Sequence, residues 1–152
     1  MTSNSRQVVL LVLMLLAGAC GDDDADATDD GAVPGCLDPL PLDCEPTFAP
    51  TFAAFYRNRI RTTCGASSTG TSCHAGPDGQ AGLVLADEAS AYDYLLGEVD
   101  GRARVIPGDP ECSILVQRLE SSDPDFVMPV GMPLLAGERC AVRQWIANGA
   151  ER

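Results

Sequence analysis

Cysteine stands at positions 20, 36, 44, 64, 73, 112 and 140, and directly behind the fifth of these comes the chain's single histidine, His74. Cysteine at this density behind an export leader restricts a chain to a small fold whose loops are tied covalently or whose thiols serve a bound group. The leader covers residues 1–19: Arg6 supplies the positive end, Val8 to Leu16 the apolar stretch, and Ala17, Gly18 and Ala19 the small-residue cleavage region. An apolar run of that length is too short to span a bilayer comfortably.

Leu16, Ala17, Gly18, Ala19 and Cys20 resemble a bacterial lipobox, in which the cysteine becomes the lipid-modified first residue. Ala17 and Ala19 also fit an ordinary cleavage site, which would leave Cys20 unlipidated. Cysteine parity favours lipidation, since removing Cys20 from the seven leaves six, an even number for an oxidising compartment. The expected location is the bacterial cell envelope, on the periplasmic side or at the cell surface, with the membrane as a partner through the lipid anchor.

Residues 21–31, "GDDDADATDDG", hold six aspartates and no bulky apolar side chain, so they cannot offset the entropy of ordering and are expected to form a flexible tether. The formal charge of −12 is partly theirs. From Phe48 onward nine arginines face thirteen carboxylates with no lysine and no basic stripe, a balance that argues against nucleic acid as a partner. The expected organisation is a signal peptide over 1–19, then lipidated Cys20 with the acidic linker and a stapled loop over 20–47, then one domain over 48–152.

Four helices are predicted in that domain. Phe52, Phe55, Tyr56 and Ile60 recur at helical spacing over 52–63, with Thr51 as N-cap. A second helix runs from Glu88 to Leu96 behind Asp87, with Tyr92, Leu95 and Leu96 inward. Asp109 ahead of Pro110 starts a third over 110–120, and 136–147 form the fourth, with Trp145 in the core and "NGA" as its stop. The strand-like runs "GLVL" and "ARVI" are too brief for a sheet core. Local and helical logic pairs Cys36 with Cys44 across the proline-rich "CLDPLPLDCEP" and Cys112 with Cys140 between the last two helices, out of fifteen connectivities for six cysteines.

Cys64, Cys73 and His74 remain. A cysteine followed by histidine at the end of a first helix is the arrangement of a c-type haem site, in which thiols join the porphyrin and the imidazole holds the iron. The usual spacing is CxxCH; here eight residues separate the two cysteines. A flexible loop lengthened by two doublings costs only about 1.2 kcal/mol more to close. Two other readings stand beside this one: a Cys64–Cys73 disulfide with His74 a bystander, and a zinc site that lacks an obvious fourth ligand. An enzyme of Ser/His/Asp type has little support with a single histidine already engaged.

Taken in order, Cys73–His74 with "AG", "AGLVL" at 81–85, "AYDYLLG" at 91–97, "VIPGDPECSIL" at 105–115, "MP" at 128–129 and "VRQWIANGA" at 142–150 resemble the planctomycete-type cytochrome c domains and their relatives among bacterial lipoproteins, from Cys64 to Ala150. The resemblance implies a small all-α cytochrome c-like domain of about four helices enclosing haem c. His74 is then one axial ligand of the iron and Met128 the other, with Met132 in the second "MP" as reserve. Cys73 and Cys64 are the thioether candidates, and Arg102 or Arg104 are in reach of a propionate. The function implied is one-electron transfer with a redox partner protein that the sequence does not name. The alternative is a haem-free, disulfide-stabilised structural or binding lipoprotein derived from the same fold.

Overall fold

The computed structural model describes residues 35–65, 73–76 and 79–152. The expected signal peptide, lipidated Cys20 and acidic tether lie outside them. No helix among the described residues is long and apolar enough to cross a membrane.

The first helix begins as α1 (Phe52–Phe55), where the Thr51 hydroxyl accepts the Ala54 amide at 3.3 Å, as the capping pattern predicts. It then widens into a nine-residue π-helical stretch, Tyr56–Cys64. Phe52, Phe55, Tyr56 and Ile60 are all buried. A 3₁₀ turn at Gln80–Gly82 leads to α2 (Glu88–Leu95), whose Asp87 cap accepts the amides of Ala89 at 3.0 Å and Ser90 at 3.1 Å. Next come β1 (Glu98–Val99) and β2 (Arg102–Ala103), antiparallel with Glu98 opposite Ala103. Helices α3 (Ile114–Glu120) and α4 (Ala136–Ala147) complete the domain, and α4 stops at Asn148 before Gly149 with φ at 99°.

The domain is thus small and mostly helical, and the all-α expectation needs the addition of one short hairpin. The third helix starts four residues later than predicted. Asp109 does cap, accepting the Cys112 amide at 3.0 Å, but it closes an isolated turn. Ser113 there is extended, its hydroxyl donating to the Asp109 carbonyl at 2.7 Å and accepting the Ile106 amide at 2.8 Å, so the helix can begin only behind it. Leu96, expected inward, is 36% exposed because α2 has ended at Leu95.

The core joins the first helix to α4. The Phe52 ring lies 5.7 Å from Trp145 and meets Tyr92 edge-on at 5.0 Å, while Trp145 itself donates from its indole nitrogen to the Glu151 carbonyl at 2.7 Å. Arg59 Nε donates to buried Glu138 at 2.7 Å, a further tie between the same two helices.

The expected pairs Cys36–Cys44 and Cys112–Cys140 are both corrected. The disulfides are Cys36–Cys112 and Cys44–Cys140, with Cα separations of 4.2 and 6.0 Å. The reason lies in the prolines. Pro39 and Pro41 cannot donate backbone hydrogen bonds and favour extended chain, so the segment is an open strap rather than a loop closed on itself. It runs over the outside of the domain: Leu37 donates to the Glu111 carbonyl at 3.1 Å, Thr47 to that of Gly137 at 2.9 Å, and Gln144 to that of Leu42 at 2.8 Å. Gly137 permits the approach, since a Cβ there would meet the Glu45 carbonyl at 3.0 Å. Cys36 is thereby laid beside Cys112 and Cys44 beside Cys140.

Candidate haem site

The π-helical stretch ends at Cys64, and there the chain meets the other half of the sequence motif. The His74 amide donates to the Cys64 carbonyl at 3.3 Å, the Leu85 amide to the His74 carbonyl at 2.7 Å, and the Gln80 amide to that of Cys73 at 2.9 Å. Gly65 makes this crossing feasible, since a Cβ on it would run into the Leu85 carbonyl. Two residues that the sequence separates widely are therefore backbone neighbours.

Beside this crossing lies a cavity of about 680 Å³, within the range of small-molecule and cofactor sites. Cys64, His74 and Met128 all line it. Its walls are mainly apolar, with Phe55 and Ile60 from the first helix, Leu83 and Leu85 from the segment before α2, Leu95 from α2 and Leu119 from α3. Met128 is held in place from behind, its amide donating to the Arg118 carbonyl at 3.0 Å.

His74 Nδ1 is buried and has no hydrogen-bond partner. Burial is the main cause that holds its pKa below the ordinary 6.5; the backbone carbonyls of Leu83 and Gln80 oppose the shift, and Arg104 and Arg118 add to it. The ring is accordingly neutral at neutral pH, with a lone pair to offer. Burial likewise pushes the Cys64 thiol up to about 11, against a smaller downward pull from Arg59, so it is protonated there.

Three guanidinium groups also border the cavity. Arg104 is buried and donates to the carbonyls of Ala81 at 2.9 Å and Tyr94 at 3.3 Å, Arg102 to the side chain of Gln117 at 2.8 Å, and Arg118 to the Phe126 carbonyl at 3.3 Å. Arg118 also lies 4.1 Å over the Phe126 ring. Arg118 is a charged cavity residue that the sequence reading missed. Its signal was the helical spacing with Ile114 and Leu115, which places a cation on an otherwise apolar face.

The other expected site residues fare differently. Met132 is 69% exposed and does not line the cavity, so the reserve ligand is displaced from the site. The alternative Cys64–Cys73 disulfide is corrected: Cys64 carries a free thiol, whereas Cys73 is disulfide-bonded and does not line the cavity. The even pairing of six cysteines fails at Cys64 for the same reason, and with it the parity argument for a lipidated Cys20. Among the described residues no three His, Cys, Asp or Glu side chains converge as a metal cluster would, which counts against zinc.

Residues 71–129 match the family of Planctomycete cytochrome C. The planctomycete cytochrome c match begins just ahead of Cys73–His74 and ends on Met128–Pro129, so both proposed axial ligands fall inside it. Cys64 and α4, which the sequence resemblance also took in, fall outside. No curated protein and no solved structure matches the chain.

The donor set fits haem: a neutral imidazole with an unpartnered nitrogen, a thioether, an apolar wall of suitable extent, and guanidinium groups to face carboxylates.

Proposed function

We propose that this chain is an exported c-type cytochrome that passes single electrons. The observation that carries the reading is the placement of His74 and Met128, from distant parts of the sequence, on the wall of one apolar cavity. Haem bound there supplies a ferric/ferrous couple.

The chain's own residues do the rest. His74 would offer the iron a neutral imidazole and Met128 a soft sulfur, a ligand pair that would raise the reduction potential. Two protein ligands would leave such an iron no open position for a substrate, which favours electron transfer over catalysis. The leucines and Phe55 exclude water, and Arg102, Arg104 and Arg118, which line the same cavity, would balance the propionates. The leader would deliver the domain to the periplasmic side of the envelope or to the cell surface, where it meets a redox partner protein. The disulfide at Cys73 supports the second reading, a haem-free structural or binding lipoprotein, because a sulfur so engaged forms no thioether until it is reduced.

The mature protein made in a host competent for haem attachment tests the two. A visible haem spectrum that titrates as a one-electron couple is expected. Colourless protein of the bare polypeptide mass would favour the haem-free reading.

A further inference from the structure

The geometry points to the turn at 129–132, with Leu135 behind it, as the surface on which the redox partner docks, and to a partner whose apolar contact face is ringed by basic side chains. The inference rests on the cytochrome reading above. The Met132 amide donates to the Pro129 carbonyl at 3.3 Å and Gly131 takes a φ of 74°, so these residues form a tight turn with glycine where the backbone needs it. The chain on either side belongs to the cavity, with Met128 and Pro129 in its wall before the turn and Leu134 after it. The tip faces solvent: Val130 is 39% exposed, Met132 69% and Leu135 66%. Half of the large apolar side chains that stand exposed among the described residues thus fall within six positions of sequence.

Apolar side chains gathered in one place mark an interaction surface, where scattered ones would not, and a methionine thioether adapts to the shape it meets. Only Pro129 separates the proposed iron ligand Met128 from Val130, so a partner seated here is next to the site. Electron-transfer encounters bury less than about 1,200 Å² in all, which suits a small patch, whereas a stable dimer needs more. Charge selects the occupant. The same loop between α3 and α4 carries Asp123 and Asp125, both exposed, and the ion pairs among the described residues use the carboxylates of Glu120 and Glu138 instead. A chain with a formal charge of −12 repels a second copy of itself and an anionic lipid surface, and it attracts a protein with lysines or arginines around an apolar centre.

The test is stopped-flow oxidation of the reduced, haem-loaded chain by a blue copper protein whose apolar face is ringed by lysines, with an acidic-faced blue copper protein and the small complex hexaammineruthenium(III) for comparison. One electron passes from ferrous iron to the probe's copper(II), leaving ferric iron and copper(I). Wild type should react faster with the basic protein than with the acidic one, at a rate that falls as salt is added. Val130→Ser, Met132→Ser and Leu135→Ser combined should keep the haem spectrum and the rate with the ruthenium complex but lose about tenfold with the basic protein. Asp123→Asn with Asp125→Asn should flatten the salt dependence, and in wild type the amide NMR signals of residues 130, 132 and 135 should shift when the basic protein is added. Equal rates for wild type and the triple variant, a preference for the acidic protein, shifts confined to other surfaces, or self-association or binding to phosphatidylglycerol vesicles through these residues would overturn the docking surface while leaving the cytochrome reading intact. Wild-type protein without haem would overturn both. If the triple variant does not accumulate, Met132→Ser and the aspartate pair decide.

Discussion

The His74 amide and the Cys64 carbonyl are hydrogen-bonded at 3.3 Å, so an interval that looks too long for a haem motif in the sequence is closed in the fold. This contact depends on Gly65. Gly65→Ala would drive a methyl group into the Leu85 carbonyl, and overpacking of that kind costs about 1 to 3 kcal/mol. Thermal unfolding should show a loss of several degrees, with weaker haem retention; an unchanged melting temperature would mean that the crossing is loose.

The strap makes a covalent prediction. Non-reducing digestion should yield linked peptides for Cys36 with Cys112 and Cys44 with Cys140, and none for Cys36 with Cys44. These bonds close spans of 76 and 96 residues, and chain-entropy arithmetic assigns about 4.5 kcal/mol to each. Replacing both members of either pair with alanine should therefore lower the melting temperature more than any single surface substitution does.

Much of this was legible in the residues. The four helices follow from apolar spacing and from the Thr51 and Asp87 caps, because those signals are local and the caps make the bonds that their chemistry invites. The pairing of His74 with Met128 was legible only through the ordered resemblance, since nothing local ties the two. What stayed hidden is long-range. The prolines announced a turn where they produce an extended strap, and Ser113 spent its hydroxyl on Asp109 and Ile106 instead of letting the helix begin at Pro110. Helical spacing alone does not single out Arg118, whose place is set by the Phe126 ring and the cavity around it.

Alkaline pH should expose the buried thiol. In the folded chain the Cys64 pKa rises from the ordinary 9.0 to about 11, so above pH 9 the unfolded chain gives up its proton first and the native state holds more protons than the unfolded one. The stabilisation is complete below pH 9 and is lost as pH climbs toward 11, on the order of 3 kcal/mol in all. Denaturant melts of the haem-free protein across that range should show a steeper decline for wild type than for Cys64→Ala. Parallel declines would contradict the burial.

Core truncation should be costly where the two long helices meet. Phe52 is fully buried against Trp145 and Tyr92, and Phe52→Ala is expected to lose about 3 to 5 kcal/mol. Urea midpoints compared at constant slope would measure it.

The central claim is that an imidazole and a thioether from opposite ends of the matched segment hold the same iron. Proton NMR of the ferrous haem-loaded protein tests it most directly, because an iron-bound methionine methyl sits against the porphyrin face and its signal moves far upfield. The account predicts that signal in wild type and in Met132→Ala, and its loss in Met128→Ala with haem still bound. An upfield methyl that survives Met128→Ala, or none in the wild-type haem protein, would contradict it.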